Sequence, residues 1–176
     1  SEKMVKKLGY VYDFVRENNH KAKALICTNS DRIAHINDIV QQVPQMHFSI
    51  AAFTEMSSKL MSLGDCPNVS LYPNVKQNTL EQLFEDCDFY LDINYENEIA
   101  DAVHQAFLQN QLIVGFDETK HNALYTADTN LFSVNDYQDM IDALNATLQM
   151  PQIIDEALKK QRNSALSEPV SCYENL

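Results

Sequence analysis

Glycine is scarce in this 176-residue chain, which contains only three. Gly9, Gly64 and Gly115 are far apart, so the sequence has neither a GxGxxG fingerprint nor a Walker motif. Such motifs use glycine to bring the backbone against a pyrophosphate, and their absence excludes the usual NAD and ATP sites. A helix N-terminus could still hold a phosphate without glycine, so nucleotide binding is disfavoured but not eliminated.

Paired cysteines, long apolar runs and positive charge are also lacking. The four cysteines (Cys27, Cys66, Cys87 and Cys172) form no CxxC pair, which favours reduced, buried thiols over disulfides or a zinc site. No apolar run approaches about 18 residues and no signal-peptide pattern is present, so we expect a cytoplasmic protein, free or peripheral to a membrane within a complex. The formal charge of −12 argues against nucleic acid as a partner.

Short apolar runs alternate with amphipathic segments along most of the chain. The runs that predict buried strands are ALICT, HFSIAAF, VSLYP, FYLDI, LIVGF and the shorter LFSV. The opening GYVYDFV favours another strand, with an amphipathic helix as the alternative. The predicted helices are NSDRIAHINDIVQQV with Ser30 as N-cap, TEMSSKLMSLG beginning at Thr54, NTLEQLFEDC capped by Asn78, IADAVHQAFLQN and NDYQDMIDALNATL. This alternation predicts an α/β fold, a Rossmann-like parallel sheet with helices on both faces.

The ends of the chain suggest a domain taken from a longer protein. The chain begins with SEKMVKK, without an initiator methionine. We assign residues 1–150 to the Rossmann-like domain and residues 151–176 to a C-terminal helix and an irregular tail. Pro151 suits the first turn of that helix. We expect Ile153, Ile154 and Leu158 to face an absent N-terminal domain, and therefore to be exposed or covered by another chain.

Polar residues follow the predicted strands, at the edge where open parallel sheets bind their ligands. The candidate crevice residues are Asn29, Ser30, Arg32, Thr54, Glu55, Asn94, Glu96, Glu98, Glu118 and Thr119. His121 lies close to Asp117 and Glu118, but the spacing fits no metal motif, so we predict a solvated loop histidine and no metal site. No nucleophile signature of the Ser/His/Asp or Cys/His kind is present.

The order of elements resembles the C-terminal, nucleotide-sugar-binding half of GT-B glycosyltransferases. The similarity is carried by NVSLYPNVKQNTLEQLFEDCDFYLDINYENEIADAVHQAFLQNQLIVGF and covers roughly residues 8 to 150. At a finer level FSIAAFTEMSSKL, LYPN, CDFYLDIN and GFDETKHN are similar to the accessory-Sec glycosyltransferase pair of Gram-positive bacteria. That pair adds N-acetylglucosamine to serine-rich-repeat adhesins. The chain resembles the non-catalytic, stabilising (chaperone) subunit more than the catalytic one.

The resemblance also implies a degenerate catalytic site. Active retaining members carry two glutamates at positions that correspond here to Asn97 and Gln105. An amide keeps the hydrogen-bonding shape but cannot supply the negative charge. A loop shift could bring Glu96 or Glu98 to the first position, but nothing would restore the second. Otherwise Glu96, Glu98 and Asp101 are acidic residues favoured at the start of a helix.

Three hypotheses remain open on the sequence. The first is a non-catalytic subunit that binds the adhesin polypeptide and stabilises a catalytic glycosyltransferase, with no cofactor of its own. The second is an active retaining glycosyltransferase that uses UDP-GlcNAc. The third is an unrelated flavodoxin-like binder of small molecules. Arg32 is either a solvated helix residue or a contact for a phosphate or a partner, and the sequence leaves open whether the chain forms a homo-oligomer.

Overall fold

The computed structural model describes residues 14–174 and the side chains of residues 14–166. The strands are β1 (Lys23–Cys27), β2 (His47–Ala51), β3 (Val69–Tyr72), β4 (Phe89–Asp92), β5 (Leu112–Phe116) and β6 (Leu131–Phe132). The α-helices are α1 (Ile36–Gln42), α2 (Ser58–Met61), α3 (Gln77–Asp86), α4 (Ala102–Leu108), α5 (Tyr137–Gln149) and α6 (Gln152–Glu174). Short 3₁₀ helices span Ser62–Asp65, Asp128–Asn130 and Val134–Asp136. Most of the predicted opening strand GYVYDFV lies outside the described residues.

The six strands form one parallel sheet in the order β3-β2-β1-β4-β5-β6. The sheet confirms the predicted Rossmann-like architecture, and β4, the FYLDI strand, lies inside it. Strands β1, β2, β4 and β5 are almost completely buried, as expected for strands covered on both faces.

Each face of the sheet carries its own hydrophobic core, because alternate side chains of a strand point to opposite faces. On β1, Ala24 and Ile26 join the core formed with α1, α2, α5 and the first turns of α6. Their neighbours Leu25 and Cys27 join the opposite core, formed with α3, α4 and the later part of α6. The predicted helices on both faces are therefore confirmed.

Helix α6 packs on this domain itself and passes from one core to the other. Ile154 and Leu158 are buried in the first core, so the expectation that they would be exposed is wrong, while Ile153 remains half-buried. Ala165 and Leu166 are buried in the second core. Helix α6 continues past these two contacts to Glu174, through most of the segment expected to be an irregular tail.

Helix α1 begins five residues later than predicted, at Ile36, so Ser30 is not its N-cap. The intervening backbone pairs with the end of β4 instead. Ala34 N donates to Ile93 O at 2.9 Å, and Tyr95 N donates to Arg32 O at 3.0 Å. An isolated antiparallel bridge of Ile33 with Asn94 holds this segment against the residues that follow β4, so it cannot be helical and the helix starts later.

Two other predicted helix starts are also wrong. Thr54 lies in the loop after β2, which bonds to the loop after β3, with Asn74 N donating to Thr54 O at 3.0 Å. Helix α2 therefore starts later, and Ser57 is its cap, accepting a hydrogen bond from Leu60 N at 3.1 Å. Helix α3 begins at Gln77, which places Asn78 inside its first turn.

Burial keeps the cysteine thiols of the described core away from solvent and disfavours the reactive thiolate. Cys27 and Cys87 are buried, and burial raises the pKa of each thiol to about 12. Cys66 is half-buried and also free, whereas the side chain of Cys172 is outside the described residues. In the described part of the chain, no helix combines the length and the apolar character needed to cross a membrane.

Candidate functional site

A crevice opens at the carboxyl edge of the sheet, between the loops that follow β1, β2 and β4. One cavity of about 290 Å³ lies between the β1 and β2 loops and includes Asp31, Glu55 and Ser57. A second cavity of about 310 Å³ lies between the β1 and β4 loops and includes Glu96 and Asn97. Asn29 and Ser30 line both cavities, so the two form one crevice around the β1 loop.

The β1 and β2 loops are held together by side-chain hydrogen bonds across the first cavity. Asn29 Oδ1 accepts a hydrogen bond from Phe53 N at 2.8 Å. Ser57 Oγ, the cap of α2, donates to Asp31 Oδ2 at 2.7 Å. These bonds fix the floor of the crevice and leave its lining rich in oxygen acceptors.

The β4 loop is shaped by the buried side chain of Asn94. Its Oδ1 accepts from Glu96 N at 3.0 Å, and its Nδ2 lies 3.4 Å from Glu96 O and 3.3 Å from Asn97 O. Asn94 is 3% exposed, so it supports the loop from beneath rather than facing a ligand. Asn97, at the exposed end of this turn, lines the second cavity.

Both glutamates of this loop already have partners. Glu96 Oε1 forms a salt bridge with Arg32 Nη1 at 2.5 Å, and the Arg32 guanidinium lies 5.5 Å from the centre of the Tyr95 ring. Glu98 Oε2 accepts from Val103 N at 3.3 Å, in the first turn of α4. Burial raises the pKa of Glu98, and the hydrogen bond from Val103 opposes that rise.

Of the three acidic residues predicted at the start of helix α4, Glu98 bonds to its first turn and Asp101 is its N-cap residue, whereas Glu96 is paired with Arg32. Ala100 and Asp101 adopt left-handed backbone conformations, with φ of 58° and 49°, so the helix begins at Ala102 rather than at the predicted Ile99. Gln105 Nε2 donates to Ala100 O, which directs its amide into the helix start.

A histidine and an aspartate lie beneath the β4 loop. His121 Nδ1 is 2.5 Å from Asp92 Oδ1, and His121 N donates to Asp92 Oδ2 at 2.7 Å. The other ring nitrogen, Nε2, is 2.6 Å from Glu96 O. The side chains of His121 and Asp92 are 16% and 3% exposed. The prediction of a solvated His121 was therefore wrong.

The candidate residues are divided between the crevice and its surroundings. Those that line the two cavities are Asn29, Ser30, Glu55, Glu96 and Asn97. Arg32 lines an adjoining cavity of about 280 Å³ with Tyr95 and Lys59, in a loop rather than on a helix. Thr54, Glu98, Glu118 and Thr119 do not line these described cavities.

Glu118 and Thr119 have structural partners instead. Glu118 Oε1 accepts from Val134 N at 3.1 Å, which ties the β5 loop to the segment before α5. The buried Thr119 hydroxyl donates to Asp92 O at 2.8 Å. The sequence predicted both residues at the crevice because they follow a strand, but their side chains bond to the segment before α5 and to the end of β4 instead.

Asp31, Ser57 and Asp92 were missed by the sequence reasoning. Asp92 carried a usable signal, because a carboxylate at the end of the buried strand FYLD requires a partner. Asp31 and Ser57 carried none, since each looks like an ordinary residue of a predicted helix. Among the described side chains, no group of three or more His, Cys, Asp or Glu residues is arranged to hold a metal ion.

Comparisons with known proteins place this geometry in a family. A protein from Limosilactobacillus reuteri subsp. suis named UDP-N-acetylglucosamine--peptide N-acetylglucosaminyltransferase stabilizing protein GtfB is 44% identical over 96% of this chain and 38% of its own length. The protein of the same name from Streptococcus pneumoniae is 42% identical over 90% of the chain and 36% of its own length. The chain thus spans less than two-fifths of each relative.

Structural comparison agrees with the sequence comparison. A crystal structure of a GtfA/B complex bound to UDP and GlcNAc matches with a TM-score of 0.83 and 40% identity, over 93% of this chain and 37% of the other. The family model of the GftB/GlyA-F C-terminal domain matches residues 24–161, which include the sheet from the second residue of β1 onwards and the whole crevice. The chain therefore belongs to the GftB/GlyA-F C-terminal domain family.

Proposed function

We propose that this domain is part of a non-catalytic stabilising subunit, which holds a Ser/Thr-rich adhesin polypeptide in its crevice and stabilises a catalytic glycosyltransferase. The observation that carries the proposal is the 44% identity across 96% of the chain to a protein named as a stabilizing protein. The match to a GtfA/B complex supports a role in an assembly with a catalytic partner.

The electrostatics of the crevice support binding without catalysis. Sugar transfer from a nucleotide donor requires positive groups that stabilise the departing diphosphate. The charged residues that line the two cavities are Asp31, Glu55 and Glu96, all acidic. A diphosphate brought to this lining would meet like charge. Arg32, in the adjoining cavity, is already paired with Glu96.

Glu96 and Glu98, the two glutamates that could have replaced the missing catalytic carboxylate, each already bind another group. Glu96 would have to break its salt bridge with Arg32, and Glu98 would have to give up its hydrogen bond to the first turn of α4. Asn97 and Gln105, which the family resemblance sets at the catalytic positions, are amides and carry no charge. This arrangement favours the stabilising subunit over the active glycosyltransferase.

The same lining suits a polar polypeptide. Asn29, Ser30, Ser57 and Asn97 offer amide and hydroxyl groups, while Asp31 and Glu55 offer carboxylate acceptors. Serine and threonine hydroxyls and backbone N–H groups are donors that match these acceptors. Two cavities of about 290 and 310 Å³ that share one wall can accept neighbouring residues of an extended segment.

The catalytic question is tested by sugar transfer with the full-length protein. The assay combines UDP-N-acetylglucosamine and a serine-rich acceptor, with and without the catalytic partner. We expect no transfer by the full-length protein alone, and transfer by the partner that lasts longer when this subunit is present. Transfer by the protein alone, abolished by Glu96→Gln or Glu98→Gln, would establish the active-enzyme alternative.

The acceptor site is tested by binding rather than activity. Glu55→Ala removes an exposed carboxylate of the first cavity, and loss of one hydrogen bond to a charged group should weaken acceptor binding about tenfold. Glu85→Ala is the matched control, since Glu85 is an exposed glutamate of α3, outside the crevice. Equal affinity for the acceptor in both variants would place the binding surface elsewhere.

A further inference from the structure

The pair formed by His121 and Asp92 lies below the crevice rather than in it. Asp92 ends β4, and both of its carboxylate oxygens contact His121, one at the backbone N–H and one at Nδ1. Thr119 fixes the same point from the β5 loop, since its hydroxyl donates to Asp92 O at 2.8 Å. The orientation of the imidazole ring is therefore set by the sheet.

Both ring nitrogens of His121 face groups that only accept hydrogen bonds. Nδ1 faces the Asp92 carboxylate, and Nε2 faces the carbonyl oxygen of Glu96 at 2.6 Å. A neutral imidazole has one N–H and could satisfy only one of them, so the geometry requires the imidazolium. The hydrogen bond to Asp92 is the largest cause that raises the pKa of His121 to about 9, and burial partly opposes it.

The second contact connects this cation to the crevice. Glu96 lies in the turn that Asn94 supports from inside, and the side chains of Glu96 and Asn97 line the second cavity. Asn94 closes the turn upon itself, whereas His121 ties it to the sheet. The turn is also bonded to the loop after β1, through Tyr95 N to Arg32 O and through the salt bridge of Glu96 with Arg32. Without the contact from His121 it would keep these bonds but lose the one that ties Glu96 O, through the imidazole, to Asp92 at the end of β4.

We propose that His121 is a positioning residue, which holds the turn Asn94–Asn97 in the place where it forms one wall of the acceptor crevice. This inference rests on the proposed function of that crevice. His121 does not itself line the two cavities, so it acts through the backbone of Glu96 and not by touching the polypeptide.

The charged groups around His121 make the role dependent on pH. Asp92 faces the ring from β4, and Glu98 contributes negative charge from the β4–α4 loop. Lys120, on the same loop as His121, is paired with Asp117 at 3.7 Å. Loss of the ring proton removes the hydrogen bond to either Asp92 or Glu96, so acceptor binding should weaken as the pH rises through about 9.

The test measures the affinity of the full-length protein for a serine-rich acceptor peptide between pH 6 and 10, for wild type and His121→Gln. Glutamine can serve one acceptor but not both. We expect the wild-type dissociation constant to rise about tenfold through the upper part of this range. The His121→Gln dissociation constant should already be raised about tenfold at pH 7 and stay flat, with the fold verified at each pH by circular dichroism.

Two further measurements separate the outcomes. His20→Gln is the control, because His20 also contacts an aspartate, Asp155 at 2.7 Å, but lies before β1 at the opposite edge of the sheet. It should bind like wild type. Backbone hydrogen exchange of residues 94–97 should quicken in His121→Gln whether or not peptide is present.

Each result has one meaning. If the wild-type protein binds no acceptor at any pH, the proposed function fails, and hydrogen exchange alone then decides the positioning role. Binding by wild type with an unchanged affinity and pH profile in His121→Gln would overturn the positioning role and leave the proposed function intact. Unchanged exchange at residues 94–97 would overturn it as well.

Discussion

Replacing Gln161 with leucine should strongly destabilise the domain, because this glutamine completes an edge of the sheet. Strand β5 pairs with β4 along its length, but β6 reaches only Gly115 and Phe116. Beside the first half of β5, Gln161 of α6 takes the place of a neighbouring strand. Its Oε1 accepts from Ile113 N at 2.9 Å, and its Nε2 donates to Gln111 O at 2.8 Å.

The size of the effect follows from the burial of these groups. Gln161 is 1% exposed, and Gln111 and Ile113 are not exposed at all, so water cannot replace the lost partner. An unsatisfied buried backbone group costs about 1–3 kcal/mol, and leucine leaves two of them. Allowing for the gain from burying a more apolar side chain, we expect a net loss of about 3 kcal/mol. For a chain of this length that lowers the Tm by roughly 6–12 °C.

The assay is urea and thermal unfolding followed by circular dichroism, with Gln152→Leu as the control, since Gln152 is an exposed glutamine at the start of the same helix. Gln161→Glu provides a second check. Its carboxylate can still accept from Ile113 N but cannot donate to Gln111 O until it is protonated. Burial raises the pKa of such a carboxyl, so its penalty should be full at neutral pH and shrink as the pH falls. A loss below about 0.5 kcal/mol in Gln161→Leu, within the range of ordinary surface substitutions, would refute the reasoning.

Three further predictions concern other buried contacts. Asp88→Asn should lower the free energy of unfolding, measured in urea, by about 3 kcal/mol because it breaks a buried ion pair. Asp86→Asn, at a half-exposed position, should lower it by less than about 1 kcal/mol, and similar losses in the two variants would contradict this. Gly115→Ala should lower the Tm, because a Cβ there would lie 2.7 Å from Asp92 O and overpacking of this kind costs about 1–3 kcal/mol. An unchanged Tm would show that β4 and β5 can move apart without loss of stability. The raised pKa of His121 should stabilise the fold fully below pH 6.5, and this contribution, about 1–2 kcal/mol once solvent screening is allowed for, should be lost as the pH rises through about 9. A stability profile identical in His121→Gln would refute this.

The sequence by itself determined the sheet. Strands covered on both faces must be apolar along their whole length, and the runs ALICT, FSIAAF, FYLDI and LIVGF have that property. Their alternation with amphipathic segments requires a parallel sheet with crossover helices. Polar residues directly after β1, β2 and β4 then had to meet at one edge. Asn29, Ser30, Glu55 and Glu96 follow these strands and line the crevice for this reason.

The starts of the helices were decided by the tertiary structure. Ser30 and Thr54 are good caps by residue type, but each lies in a loop whose backbone bonds to the loop that follows a neighbouring strand. A backbone hydrogen bond to a neighbouring strand outweighs a local capping preference worth about 1 kcal/mol. Residue pattern cannot reveal such pairing, because the partner of each segment comes from another loop.

The polar contacts that fix the site were likewise set by tertiary structure. His121 reaches Asp92 across 29 residues of sequence, and Gln161 reaches Ile113 across 48. In the sequence His121 looks like a solvated loop residue and Gln161 like an ordinary polar residue of a helix. A buried hydrogen-bonding group must find a partner, but only the packing of β4, β5 and α6 determines which residue it is.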